Sequence, residues 1–294
     1  MARGDTTLRA VGLFLLGGLF FVTLNSFAKT LLAELGPTMV LWARYFFHVV
    51  LVAVLFPGAL ARLPRAPQLP VQLGRSLMLM LSTVCNFLAL RHMPLGDVSA
   101  IVFMTPILVA GLAVVVLKER VSLLRWLAIG AGLAGAMLVI RPGSSTFNIG
   151  AVLALLCALT YAVYQVSTRL VREGDAVVSL LYGGLGGLVV FTLILPFGWQ
   201  TPSLLQWAML VTMGAFGAVG HLLVILALQR MEASRLSPFS YLQLVWAMLI
   251  SFFVFGDVPT FLTLTGAVVI VASGLWAWRL NMSEHLRGTS AALR

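Results

Sequence analysis

The chain has 294 residues, of which 61% are hydrophobic and 10% charged, with 19 Lys plus Arg against 9 Asp plus Glu and a net charge of +10. A water-soluble domain cannot cover so much apolar surface, so composition alone points to an integral membrane protein. The basic residues sit in short gaps between apolar runs, with no basic stripe and no interleaved aromatic platform, which argues against nucleic acid and makes the lipid bilayer the expected partner.

Charged, Pro-rich and Gly-rich punctuation cuts the chain into ten apolar segments, each near the roughly 20 residues a helix needs to cross a hydrocarbon core. The first, 9–32, follows Arg3 and Arg9 and carries Asn25. It is long for the apolar part of a signal peptide and reads as an uncleaved span. The second, 38–56, places Arg44 and His48 one turn apart. Arg44 lies on the order of 9 Å inside its helix end, so its guanidinium can reach back to the headgroups or line a pathway. His48 sits nearer the midplane. Pro57, Pro64, Pro67 and Pro70 then mark the one sizeable loop.

In the third span, 71–91, Ser82 and Asn86 are four residues apart and share a face. The fourth, 96–117, contains Phe103 and Pro106, and the proline reads either as a static kink or as a flexible point. The fifth, 122–140, carries Gly130, Gly132 and Gly135 as small-residue helix contacts. The sixth, 148–170, sets Tyr161, Tyr164, Gln165 and Thr168 at i, i+3, i+4 and i+7, a face that lipid would not accept. It serves either as interhelical hydrogen-bonding glue or as the wall of a cavity.

The seventh span, 177–196, repeats the small-residue theme at Gly183 and Gly187. The eighth, 204–229, holds His221 with Gly214 and Gly217 on its face, and an imidazole in so apolar a run needs a partner or water. The ninth, 234–255, contains Pro238, Phe239, Tyr241, Gln243 and Trp246, a set that suits a planar side chain with a polar head or simply packs. The tenth is 260–280.

The chain also reads twice. Ala89-Leu90-Arg91-His92-Met93 returns 138 positions later as Ala227-Leu228-Gln229-Arg230-Met231, and Leu117-Lys118-Glu119 is echoed by Phe255-Gly256-Asp257. Sorting Lys and Arg by alternate span ends gives fifteen on one side, Arg75 among them, and four on the other, Arg44 among them. That asymmetry places both termini in the cytoplasm. Five spans per copy is an odd number, so the expected fold is all-α, with ten transmembrane helices as two inverted repeats, 1–145 and 146–294, around a central cavity.

Thr105-Pro106, Leu117-Lys118-Glu119-Arg120 and Trp126-Leu127 through Gly130, Gly132 and Gly135, with Gly256-Asp257-Val258-Pro259-Thr260, Gly266 and Gly274 in the second half, resemble the EamA-type branch of the drug/metabolite transporter superfamily. The resemblance covers essentially the whole chain, and size and span number look most like the bacterial aromatic amino-acid exporters. It implies a cavity lined by the first, third, fourth, sixth, eighth and ninth helices, alternately open to each side. Branches of the family that carry nucleosides, vitamins or S-adenosylmethionine leave other substrates open.

The expected cavity residues are Asn25, Ser82, Asn86, Phe103, Tyr161, Tyr164, Gln165, His221, Tyr241, Gln243 and Trp246, with Arg44, His48, Pro106 and Pro238 secondary. All nine carboxylates fall at loops, span ends or tails, leaving His48 and His221 as the titratable groups at depth. No nucleotide-binding loop, catalytic motif or metal-ligand set is legible, and the isolated Cys85 and Cys157 make none. The expectation is therefore a secondary carrier for a small molecule, without cofactor or catalysis. The resemblance implies export of aromatic and other neutral amino acids across the bacterial inner membrane, with coupling to protons left open and export or import of another metabolite (a nucleoside, a vitamin or S-adenosylmethionine) as the alternative.

Overall fold

The computed structural model describes residues 2–66, 68–117, 123–140, 148–171, 173–231, 236, 239 and 241–292. They contain eleven α-helices: α1 (Ala2–Glu34), α2 (Pro37–Leu55), α3 (Leu69–His92), α4 (Leu95–Val102), α5 (Thr105–Leu117), α6 (Leu123–Ile140), α7 (Ile149–Leu170), α8 (Ala176–Ile194), α9 (Leu204–Arg230), α10 (Tyr241–Phe255) and α11 (Phe261–Ala292). Short 3-10 turns cover Pro57–Arg65 and Leu195–Phe197, and no strand occurs among the described residues. The proline-marked loop thus holds a 3-10 segment over Pro57–Arg65. Tyr182 on α8 donates to the Leu63 carbonyl at 2.8 Å and so pins it.

Helix starts follow local chemistry. Pro37 opens α2, where its missing N–H costs nothing. Asp175 caps α8 by accepting from the N–H groups of Val177 and Val178 at 2.8 and 3.3 Å. At α9, Ser203 accepts from Gln206 N–H at 3.3 Å while the Gln206 side chain accepts from Ser203 N–H at 2.8 Å, a reciprocal capping box.

The expectation of ten segments of membrane-crossing length is met only in part. Six helices, α1, α2, α3, α7, α8 and α9, are long and apolar enough to cross a membrane, and four apolar stretches are shorter: Leu95–Val109, Trp126–Val139, Gln243–Phe255 and Phe261–Trp276. The predicted fourth span is also broken between α4 and α5. Pro106 has no N–H to give to the carbonyl four residues back, and the Thr105 hydroxyl takes that carbonyl, Val102 O, at 2.6 Å.

Helix pairing follows a pattern that survives exchange of the two halves of the chain. The α1–α9 contact matches α3–α7, α2–α9 matches α3–α8, and α5–α7 matches α1–α10, while α2–α8 and α6–α11 each match themselves. The sequence echo at Met93 and Met231 is equally concrete. Both residues end their helices in extended backbone, at φ −140° and −143°, with N–H donated to Ala89 O and Ala227 O at 3.0 and 2.9 Å.

Glycines set how close the paired helices come. A Cβ on Gly135 would meet the Gly266 carbonyl at 2.9 Å, and one on Gly266 would meet the Gly135 carbonyl at 2.6 Å, so α6 and α11 touch backbone to backbone. Gly17 and Gly220 do the same for α1 and α9, at 3.0 and 3.2 Å. Such approaches provide the van der Waals contact that drives helix association where the solvent is itself apolar. The outer surface fits that solvent: Leu193, Phe253, Val254 and Val268 are more than 60% exposed.

Candidate functional site

Phe103 and the residues of a recess between α1 and α10 apart, the structure divides the expected cavity residues between two places. Asn86 on α3 donates to Asn25 Oδ1 on α1 at 2.9 Å, and both side chains keep partial exposure. Ser82, one turn away, faces α7 instead, with its hydroxyl 3.4 Å from the carbonyl and from the thiol of Cys157. On α7, Tyr161 stacks on Tyr164 with centroids 5.5 Å apart. Thr168, by contrast, spends its hydroxyl on the carbonyl of Tyr164 at 2.7 Å, which makes it a structural member of that face. Gln165 keeps partial exposure.

Gln243 and Trp246 lie apart from these. With Leu15, Leu16 and Leu19 they line an open recess of about 230 Å³ between α1 and α10. Gly18 makes room there for the Gln243 amide. Leu244 and Ala247 are the buried face of α10, which turns Trp246, 43% exposed, and Val245 outward. Phe103 is half-buried at the α4–α5 break, beside the half-buried Pro106. Pro238 and the side chain of Tyr241 lie outside the described residues.

The second place is a buried polar cluster where α2, α3, α7, α8 and α9 meet. Arg44 is 3% exposed, which removes the reading in which it reaches back to the headgroups. Its Nη1 donates to His48 Nδ1 at 3.2 Å. A guanidinium can only donate, so His48 Nδ1 is the acceptor and Nε2–H is left to donate to Leu180 O at 3.3 Å. Gly217 on α9 and Gly184 on α8 lie directly against this pair; a Cβ on Gly217 would overlap the Arg44 guanidinium, and one on Gly184 would meet His48 Cδ2 at 2.9 Å. From His48 the cluster continues to His221, 6.3 Å away between ring centroids, and from His221 to Tyr164 at 6.0 Å. Phe21 covers the remaining side of His221 at 4.6 Å.

The cluster ends on Arg75, whose guanidinium carbon lies 5.4 Å over the Tyr164 ring. Sequence reasoning placed Arg75 among the cations at the cytoplasmic span ends. In the fold it is 1% exposed and among the largest fully buried side chains. Helix α3 begins at Leu69, which puts Arg75 about 9 Å inside its start. Its Nη2 donates to Ser179 O, while Gln72 donates to Ser179 Oγ at 3.1 Å and Ser76 to Tyr182 O at 2.5 Å. Gln72, Arg75, Ser76, Leu79 and Ser82 fall at i, i+3, i+4, i+7 and i+10, a polar face that the sequence shows once the helix start is known.

A further polar group sits where α4, α10 and α11 meet. Thr263 donates to Asp97 at 3.0 Å, and Ser251 donates to Asp257 at 3.1 Å while accepting from Gly96 N–H at 3.2 Å. Gly256 makes the turn between α10 and α11 at φ +69°, a left-handed conformation that glycine adopts without strain. Lys29, close by over the Phe255 ring, donates to Met93 O at 3.0 Å and ties α1 to the end of α3.

The model of the EamA-like transporter family matches residues 8–141 and again residues 148–278. The chain belongs to the EamA-like transporter family. Among its relatives, an S-adenosylmethionine uptake transporter of Rickettsia bellii is 26% identical over 271 residues, covering 90% of this chain and 92% of the relative. The pseudopaline exporter CntI of Pseudomonas aeruginosa is 27% identical and covers 92% and 95%, and a riboflavin transporter of Brucella anthropi is 27% identical and covers 65% and 70%. A solved crystal structure, 20% identical, superposes with a TM-score of 0.64 over 94% of this chain and 97% of that one, a likeness of fold.

These findings make the EamA-like chain a multi-pass membrane transporter of small molecules. They do not carry the narrower likeness to aromatic amino-acid exporters. The three named relatives are transporters of S-adenosylmethionine, pseudopaline and riboflavin.

Proposed function

We propose that the protein is a secondary carrier for amino-acid-type metabolites, exporting aromatic and other neutral amino acids or their derivatives from the cytoplasm across the bacterial inner membrane. The observation that carries this reading is the Asn25–Asn86 pair, two half-buried amides joined across α1 and α3 at 2.9 Å. Amides offer both donors and acceptors, which suits a head group that carries a carboxylate and an ammonium. The adjoining Tyr161–Tyr164 stack supplies an aromatic wall for a planar side chain.

The exchange-invariant helix pairing and the doubled family match support two repeats related by an inverting pseudo-twofold axis, and the Lys and Arg asymmetry between span ends supports cytoplasmic termini. Alternating access then follows as a rocking of the two groups around the centre. The relatives' names fit a carrier without catalysis and also favour a second reading, in which the cargo is a larger metabolite such as a vitamin.

The test is uptake of labelled L-phenylalanine into proteoliposomes, with L-tryptophan, L-leucine, S-adenosylmethionine and riboflavin as competitors, with and without an imposed pH gradient. Competition by the amino acids without dependence on the gradient is the expected result. Competition by riboflavin alone transfers the proposal to the second reading, and strict dependence on the gradient replaces the uncoupled carrier with a proton-coupled one.

A further inference from the structure

The buried cluster holds two guanidinium groups, and among the described residues no carboxylate touches either of them. Arginine cannot shed its proton, so burial leaves both charges in place. What meets them instead is neutral: His48 and the Tyr45 ring for Arg44, the Ser179 carbonyl and the Tyr164 ring for Arg75. These contacts do not use up the donors. Arg44 Nε, Arg75 Nε and Nη1 and His221 Nδ1 are all buried without a hydrogen-bond partner.

Buried charges are ordinarily paired, and an unpaired guanidinium fork in a low-dielectric interior is a strong and selective receptor for a planar oxyanion. Five helices from both halves contribute to the cluster, so a ligand held there touches both groups of helices that must move against each other. The aromatic face of Tyr164 and the imidazole of His221 connect it to the Tyr161 stack and to α1 through Phe21.

We propose that Arg44 and Arg75, with His221 and Tyr164 between them, are the binding site for the anionic head of the transported metabolite, a carboxylate. This deepens the carrier reading and rests on it. It assigns the recognition of the carboxylate to two buried arginines, and leaves the amides and the tyrosine stack to hold the rest of the molecule. Specificity then depends on the anionic group first and on the side chain second.

The experiment compares ligands that differ only in the charge of the head, using the full chain in detergent for binding and in liposomes for transport. The probes are L-phenylalanine, L-phenylalaninamide, which keeps the ammonium and lacks the carboxylate, phenylpyruvate, which keeps the carboxylate and lacks the ammonium, and phenyl phosphate. Binding is read by ligand-induced thermal stabilisation and transport by competition with labelled L-phenylalanine. The amide is expected to bind roughly tenfold or more weakly than the acid, the scale of a charged hydrogen bond. Arg44→Gln and Arg75→Gln should shrink that acid-to-amide ratio towards one. A merely structural arginine would lower stability and leave the ratio unchanged.

If neither variant folds, the ligand series on the unaltered chain still decides. Equal binding of acid and amide overturns the anion site while leaving the amino-acid carrier intact. Binding of phenylpyruvate or phenyl phosphate, but of neither phenylalanine nor its amide, keeps the anion site and overturns the amino-acid cargo. Failure of every anionic probe to bind overturns the site.

Discussion

Asn86 reaches across from α3 to donate its amide N–H to Asn25 of α1 at 2.9 Å, the only hydrogen bond between side chains that joins these two helices among the described residues. Asn25→Ala and Asn86→Ala should each lower transport, and the two changes together should cost less stability than their sum. Interhelical hydrogen bonds in membrane proteins couple by about 0.6 kcal/mol on average and at most about 1.7 kcal/mol. A double-mutant cycle on thermal unfolding in detergent checks this, and strictly additive effects would show that the pair does not act as a unit.

At Gly217 and Gly187 an added methyl group would collide with a buried side chain. A Cβ on Gly187 would come within 2.5 Å of the Tyr45 ring, and one on Gly217 would overlap the Arg44 guanidinium. Gly217→Ala and Gly187→Ala should each destabilise the protein by about 1–3 kcal/mol, the cost of overpacking. Gly74→Ala is the control: nothing lies within 4 Å of a Cβ at Gly74, in the interior of α3, and replacing helical glycine with alanine there should be neutral or stabilising by up to about 1 kcal/mol. Unfolding midpoints of the three variants separate these outcomes.

The break between α4 and α5 depends on one hydroxyl. Thr105 satisfies the Val102 carbonyl that Pro106 leaves open, and it lies 3.4 Å from Ala158 O on α7 as well. Thr105→Val keeps the shape and removes the donor, so the variant should lose about 1–3 kcal/mol of stability, the desolvation cost of a buried unpaired group. Thr105→Ser should recover most of it. If Thr105→Val unfolds at the same temperature as the parent, the hydroxyl is not what holds the break.

The capping box at the start of α9 makes a simpler prediction. Ser203→Ala removes the acceptor for Gln206 N–H and should cost about 1 kcal/mol, while Ser203→Thr should be close to neutral. Because Ser203 is exposed and far from the polar cluster, transport per folded molecule should stay at the parent level. A fall in specific transport activity at unchanged abundance would count against that separation.

Much of the architecture was legible in the chain. Apolar content and span length point to a helical membrane protein, and Pro106 marks the place where the fourth span, expected as one continuous segment with a kink, breaks. The doubled Ala-Leu-x-x-Met segment turned out to be two helices ending in the same backbone conformation, at Met93 and Met231. Of the small-residue readings, Gly132, Gly135, Gly183 and Gly187 meet neighbouring helices, whereas Gly130 is exposed with nothing within 4 Å of an added Cβ and makes no such contact.

The site was less legible. His221, Tyr161, Tyr164, Arg44 and His48 were singled out because polar side chains in apolar helices need partners. Arg75 lies four residues inside the expected end of the third span, and a cation so close to a span end looks the same in sequence whether it points to headgroups or inward. Trp246 was grouped with Gln243 as an aromatic wall, and the fold turns its indole towards the outer side of α10, opposite Leu244 and Ala247.

What the sequence by itself determined is local: which stretches are apolar enough for lipid, which faces are polar, where proline breaks a helix and where a capping residue starts one. These follow from side-chain transfer energies and backbone hydrogen bonding within a few residues, so they need no knowledge of neighbours. Only the tertiary structure decided which faces meet. The rotation of each helix is set by packing against the others, and that rotation buries Arg75 against Tyr164 and Ser179, seats Arg44 on Gly217 and brings Asn86 to Asn25.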